Sequence, residues 1–343
     1  MTTPVILAVD GGNSKTDLAL VRGDGALLAH VRGPLSSPHH LGLDACVDLL
    51  QRMLDDAVSA AGLDGNGSRV AEIAEIYLAG VDFPAEEHEL QEAVEAREWA
   101  AQTTVGNDTF AVLRAGTARG WGVAVVCGAG INCVGVAPDG RHLRFPALGA
   151  ITGDWGGGYD VGQAALFAAA RSEDGRGPVT SLERTVPAHF GVETPLELAM
   201  EIHSGRVAGR RLIELAPVVF AEAAHDAVAA GIVERLATEV VALARVAITR
   251  LDLAREPVEV LLGGGLLRAG DGRLLGAIEE GMRDVGEHVE VHRTASPPIV
   301  GAALFGLDAL GADEDARARV RLELAAAVDS DEELEDSEEI ADG

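Results

Sequence analysis

The residues best equipped for chemistry come in one short stretch near the start, DGGNSKTD (Asp10 to Asp17), directly after the apolar run VILAV. Glycines let such a turn approach a ligand closely, and successive backbone N–H groups within it can converge on a phosphate. That assigns Gly11, Gly12, Asn13, Ser14, Lys15 and Thr16 to phosphate binding. Asp10, at the carboxyl end of a strand, is placed to hold Mg2+, directly or through water. Lys15 is the one lysine of the chain; of 27 Lys and Arg residues, all the others are arginine. An ammonium is a compact, mobile point charge and a guanidinium a bulkier planar fork, so a loop reaching a β- or γ-phosphate has a reason to keep lysine. The stretch is not a P-loop, because GxxxxGK[ST] and its following helix are missing. A plain tight turn would not need Asp, Ser, Lys and Thr together.

Two more glycine turns follow apolar runs. CGAGIN offers backbone donors at Gly128, Ala129 and Gly130 but no charge, and LLGGGLL places Gly263, Gly264 and Gly265 where a nucleotide base and ribose could lie flat against bare backbone. In GNDT, Asp108 is a carboxylate at the end of a strand and just before a helix, on the edge where α/β sheets bind ligands. Asn107 or Asp108 would serve equally well as the cap of that helix, and the residues alone leave both readings open.

The elements that must position these turns alternate between strand and helix patterns, which argues for an α/β protein. VILAVD, TDLALV and ALLAHV read as three strands, followed by a helix over about 43–61, a strand ending at Gly80, a helix over about 85–100 and a strand ending at Asp108. After a helix over 109–118 the pattern restarts in GVAVVCGAGINCVGVAPDG, where Cys127-Gly128 aligns with Asp10-Gly11. Such a repeat suggests two domains on one plan, each with a turn able to face a shared cleft. The expected domains are 1–118 and 119–311, the second with a helical insertion over about 159–253. Residues 312–343 hold 13 acids against three arginines and read as a disordered tail.

Composition removes several functions. At 343 residues and 48% hydrophobic the chain can fill two cores. Its net charge of −28 repels nucleic acid and anionic membranes. No apolar run approaches the ~20 residues that span a bilayer, and the start lacks a signal-peptide pattern, so a cytoplasmic protein is expected. Cys46, Cys127 and Cys133 are too few and scattered for a disulfide framework, and metal-binding CxxC or HExxH spacing is absent. The acid excess fits either adaptation to high salt or a coding bias toward Ala, Arg and Gly.

DGGNSKTD, CGAGIN, GDWGGGY (Gly153 to Tyr159) and Gly263-Gly-Gly stand in the order and spacing of the phosphate-1, phosphate-2, GDEGS-like and adenosine motifs of the sugar kinase/Hsp70/actin superfamily. The chain most resembles the BadF/BadG/BcrA/BcrD ATPase family, particularly its N-acetylglucosamine kinase branch, over about residues 4–310. The resemblance implies two actin-like (ribonuclease H-like) domains closing over ATP, Mg2+ and a sugar, with Asp108 as the base that accepts the acceptor hydroxyl's proton. It also implies that Asn132 and Asp154 bind sugar hydroxyls, that Gly149 lines the pocket floor, that His39 in SSPHHLG and Asn107 face the substrate, and that a homodimer forms. Asp154 has a second reading as a cap, since Tyr159 onward reads as helix.

The sequence departs from that pattern at Pro38, where the branch has an asparagine, at Ala129 and Ile131, which replace hydroxyl residues, and at Trp155, which replaces the glutamate of GDEGS. Lost polar contacts change which hydroxyl pattern a sugar pocket accepts, so N-acetylglucosamine, glucosamine and other hexoses all remain candidates. The same superfamily also contains ATPases that activate 2-hydroxyacyl-CoA dehydratases; they carry a DKCAAGTG-like cysteine loop, and this chain does not.

Overall fold

VILAV cannot alternate polar and apolar residues because both faces of its strand are covered. In the structure, a computed structural model that describes residues 4–63 and 69–342, Val5–Gly11 (β1) sends Leu7 and Val9 into one buried cluster and Ile6 and Ala8 into another. β1 is the central strand of a five-stranded sheet with Lys15–Arg22 (β2), Leu27–Pro34 (β3), Ala71–Leu78 (β4) and Ala100–Asn107 (β5), in the order β3-β2-β1-β4-β5. β1, β2 and β3 run antiparallel and β1, β4 and β5 parallel. Between β3 and β4 lie the single turn Pro38–Leu41 (α1) and Leu43–Ala60 (α2); Pro84–Glu95 (α3) and Asp108–Gly116 (α4) follow β4 and β5.

The second sheet repeats the plan. Gly122–Cys127 (β6), Ile131–Val136 (β7), His142–Arg144 (β8), Glu259–Gly263 (β9) and Glu290–Arg293 (β10) take the order β10-β9-β6-β7-β8, which matches the first sheet strand for strand. The directions match too: β6, β7 and β8 are antiparallel, while β6, β9 and β10 are parallel. The repeat between DGGNSKTD and CGAGIN therefore marks a repeated topology of two actin-like units. Between β8 and β9 comes the helical insertion, Gly157–Glu173 (α5), Leu182–His189 (α6), Pro195–His203 (α7), Ala216–Glu222 (α8) and Ala227–Arg250 (α9). In α9, Ile232, Leu236, Val240, Ala244 and Ala247 form a buried stripe at helical spacing. Gly265–Arg268 (α10) and Gly272–Arg283 (α11) precede β10.

The units differ from the expected domains at their boundaries. One unit comprises 1–121 together with 294–343, and the other 122–293. Pro298–Ala309 (α12), expected to close the second domain, instead belongs to the first: Ile299, Val300, Ala303 and Leu304 share a core with Ile6, Ala8 and Ala111. Its glycines allow the approach, since a Cβ at Gly301 would lie 1.9 Å from the Ala111 carbonyl oxygen of α4. The expectation of a disordered tail is also corrected. Glu314–Asp342 is a helix (α13), and Ala316, Val320, Leu324 and Val328 are buried at four-residue spacing in that same core. Charge counting hides this face because acidic residues surround an apolar stripe only one residue wide per turn.

Candidate active site

Within the first unit, Gly11, Leu78 and Asn107 lie side by side in register at the carboxyl ends of the parallel strands β1, β4 and β5. The DGGNSKTD turn rises from that edge. The Gly12 N–H donates to the Lys15 carbonyl at 2.9 Å and closes the hairpin, leaving Asn13 and Ser14 exposed at its tip and Asp10 and Lys15 partly exposed at its base. Gly11 must be glycine: a Cβ there would stand 2.2 Å from Ser36 Oγ and 2.4 Å from Leu78 Cδ2. Thr16 departs from its expected phosphate role. It is fully buried, and its hydroxyl donates to the Pro34 carbonyl at 2.7 Å, bracing β2 on β3.

The capping question at Asn107 and Asp108 has a clear structural answer. Asn107 is the cap: its Oδ1 accepts from the Thr109 N–H at 3.1 Å, and its Nδ2 donates to Asp82 Oδ1 at 2.8 Å. Asp108 is the first residue of α4, where the N–H groups of Thr109 and of Asp108 itself favour its ionised form. Burial, and secondarily the negative field of Asp82, push that carboxyl up to about 7. His39 joins the same edge through Glu86, with Nε2 2.9 Å from Oε1. The other Glu86 oxygen accepts from the Asp82 and Phe83 N–H groups at 2.8 and 3.0 Å. Burial opposes ionisation of Glu86, but the His39 and backbone hydrogen bonds hold its carboxyl below the usual range. An ionised acceptor makes His39 Nε2 the donor in this pair, which leaves Nδ1 as the acceptor of the neutral ring. Ser36 and Ser37, buried under Gly11 and Gly80, carry hydroxyls with no hydrogen-bond partner among the described residues.

In the second unit the CGAGIN turn is held from below. Carbonyls of Gly128 and Ala129 accept from the Gly158 and Tyr159 N–H groups that start α5, at 2.8 and 3.0 Å. The Gly128 N–H itself donates to the Gly130 carbonyl at 3.0 Å, so Ala129 and Gly130, both exposed, supply the donors this turn can offer outward. Gly263 ends β9, Gly264 is the N-cap of α10 and Gly265 its first residue. Gly264 combines φ +82° with a Cβ position 2.2 Å from the Cys127 carbonyl oxygen, so the adenosine motif and the phosphate-2 strand touch backbone to backbone.

The expected sugar contacts of this unit fall close in sequence order but on different elements. Asn132 lies on β7, its Oδ1 accepting from the Cys133 N–H at 2.7 Å. Gly149, at φ +62°, opens a turn whose carbonyl accepts from the Asp154 N–H at 3.0 Å. Asp154 does not cap α5; Gly156 does, with its N–H bound to Asp160 Oδ2 at 2.9 Å. Asp154 instead lines a cavity of about 130 Å3 with Phe145, Trp155, Glu239 and Leu243. Trp155 is roofed by Arg235, whose guanidinium carbon stands 3.9 Å from the ring centroid.

Sequence reasoning missed Asp82, Glu86, Ser36 and Ser37. A signal for Asp82 was present, since it is a carboxylate in the loop between the parallel strand β4 and α3, on the ligand-binding side of the strand ends. Glu86 reads from sequence only as an acid in the first turn of α3.

Residues 7–306 match the model of the BadF/BadG/BcrA/BcrD ATPase family. An N-acetylmuramic acid/N-acetylglucosamine kinase of Clostridium acetobutylicum is 26% identical over 76% of this chain and 85% of its own. An N-acetyl-D-glucosamine kinase of Dictyostelium discoideum is 24% identical over 90% of this chain and 99% of its own. A solved structure from Chromobacterium violaceum, provisionally assigned as an N-acetylglucosamine kinase, superposes with a TM-score of 0.70 at 26% identity, covering 88% of this chain and 98% of the other.

Proposed function

The chain belongs to the BadF/BadG/BcrA/BcrD ATPase family, and on that premise we propose that it is an ATP-dependent sugar kinase that transfers the γ-phosphate to a hydroxyl of an amino sugar or hexose, N-acetylglucosamine or glucosamine first among them. The observation that carries this reading is Asp108: a carboxyl just inside a helix that Asn107 caps, raised to about 7, on the same sheet edge as the DGGNSKTD turn. A base poised near neutral pH takes a hydroxyl proton efficiently as the phosphoryl group moves.

The other residues divide the remaining work. Asn13, Ser14 and Lys15 in the first unit, and Ala129 and Gly130 in the second, bind phosphate oxygens through backbone donors and one ammonium. Gly263, Gly264 and Gly265 take the adenosine. Asp10 fits Mg2+, since that ion needs only one or two protein carboxylates beside phosphate oxygens and waters, and it would neutralise charge developing on the phosphates. In the first unit His39, through Nδ1, is a candidate sugar ligand; in the second unit Asn132, Gly149 and Asp154 are. The unpartnered Ser36 and Ser37 hydroxyls lie behind the His39 segment, as spare donors that a ligand-induced adjustment could engage.

Glu86→Gln tests the His39 assignment. Glutamine keeps an acceptor at the third position of α3 but removes the charge that fixes the imidazole tautomer. KM for the sugar is expected to rise about five- to tenfold with kcat little changed, as loss of about 1 kcal/mol of orientation would give. An unchanged KM removes His39 from the sugar site.

The alternative, an activator of a 2-hydroxyacyl-CoA dehydratase, is not favoured. Cys127 and Cys133 are fully buried on β6 and β7, and the DKCAAGTG-like cysteine loop is missing. Among the described residues no helix is long and apolar enough to cross a membrane. The reading includes a cytoplasmic homodimer, supported by Phe167, Leu196 and Met200 exposed on α5 and α7. Light scattering giving the mass of one chain would remove the dimer.

A further inference from the structure

In a chain of net charge −28, four guanidinium groups gather against only two carboxylates around one cavity of the first unit. The cavity, of about 260 Å3, is lined by Arg114, Arg119, Arg317 and Arg321, with Asp308 and Glu314. It lies at the carboxyl end of α4, the opposite end from Asp108, where α12 and α13 meet that helix. The arginines are held there by the fold. Arg114 is 5% exposed; its Nε and Nη2 donate to Asp308 at 2.8 and 3.2 Å, and its Nη1 to the Thr117 carbonyl at 3.2 Å. Arg317 donates from Nε to Asp308 Oδ1 at 2.9 Å. One carboxylate is thus shared by two guanidiniums.

Arg321 is the unbalanced group. Its contacts are carbonyl oxygens: Ala115 at 2.5 Å and Thr117 at 3.1 Å, with Arg114 at 3.5 Å. It forms no ion pair with any carboxylate among the described residues, although it is half-buried on α13. Burial, and after it the like charge of Arg114, disfavour its protonated form more than the fields of Glu314 and Asp308 support it, a disadvantage that a bound anion would relieve.

We propose that this cavity is a binding site for a phosphate group, free or carried by a phosphorylated small molecule, separate from the nucleotide turns. Guanidinium forks match phosphate oxygens bidentately, and an anion seated here would tie the carboxyl end of α4 to α12 and α13. The site does not depend on the kinase reading, because none of its residues takes part in that chemistry.

Thermal unfolding of the full chain, in inorganic phosphate and in chloride at matched ionic strength, tests it. Phosphate at about ten times its Kd is expected to raise Tm by roughly 2–4 °C over chloride. Arg321→Gln should abolish that rise, Arg317→Gln on the rim should weaken it, and Lys15→Gln should keep it. A larger rise with a hexose 6-phosphate that Arg321→Gln abolishes identifies a phosphosugar as the ligand, and an equal or smaller one identifies free phosphate; both uphold the site. The proposal is overturned if phosphate and chloride act alike on the wild type, or if the Arg variants respond as the wild type does. It is equally overturned if Lys15→Gln abolishes the rise, which would place the anion in the nucleotide turn. Should Arg321→Gln fail to fold, Arg317→Gln decides.

Discussion

Asp108→Asn is expected to lower sugar-stimulated ADP release by about 10^2–10^4-fold, the usual contribution of a positioned base, with little change in the Kd for ATP. The same variant should be more stable than the wild type at pH 8. Asp108 titrates near 7 in the folded chain against about 3.9 when unfolded, so the folded state binds the proton more tightly. Its ionisation therefore lowers stability progressively as pH rises from about 4 to 7, and above 7 the full disadvantage is present. Asparagine removes that charge without changing size. A helix cap would behave in the opposite way, because its loss destabilises, and Asn107 already fills that role. A coupled assay across hexoses and amino sugars, with melting curves at pH 5 and 8, reads both effects. Unchanged turnover in Asp108→Asn would end the kinase mechanism as stated, and a lowered Tm at pH 8 would make Asp108 structural.

The pH profile carries the second large effect. If Asp108 acts as the base it must be ionised, so kcat/KM should fall about tenfold per pH unit below 7, reaching roughly a hundredfold loss at pH 5. Asp82→Asn should move this limb to lower pH, since it removes the negative field that disfavours ionisation of Asp108. The move should be partial, because burial is the larger cause and stays in place. The substituted amide could still accept the Asn107 amide hydrogen through its side-chain carbonyl, so the cap geometry survives. An acid limb that stays fixed in Asp82→Asn, or is absent in the wild type, assigns the proton transfer elsewhere.

What could be read before folding follows from short-range physics. The strands β1, β2 and β3, the helix α2 and the three glycine turns announce themselves because hydrophobic period and turn chemistry act within a few residues. The expected helix over 43–61 is Leu43–Ala60, and the strand expected to end at Asp108 ends at Asn107. The repeat of DGGNSKTD in CGAGIN was legible for the same reason, and it correctly announced two sheets of one topology. Asp108 was nameable as a strand-end carboxylate, though its competition with Asn107 for the cap was not resolvable, since both side chains suit that role.

The rest depends on pairings that local pattern does not encode. His39 meets Glu86 across 47 residues and Asn107 meets Asp82 across 25, so neither the tautomer of the imidazole nor the raised pKa of Asp108 exists until β4 and β5 lie side by side. Thr16 looked like one more phosphate ligand, until the pairing of β2 with β3 committed its hydroxyl to Pro34. The helices α12 and α13 were assigned by their place in the chain to a second domain and a tail. They fold onto the first sheet because a helix apolar except at Asp308 and a narrow apolar stripe are stable only against the surface they fit, here the face carrying Ile6 and Ala8. The sequence by itself determined the turns, their order and the two-fold plan. The tertiary structure alone decided which side chains share an edge, because burial and charge proximity are properties of space and not of chain order.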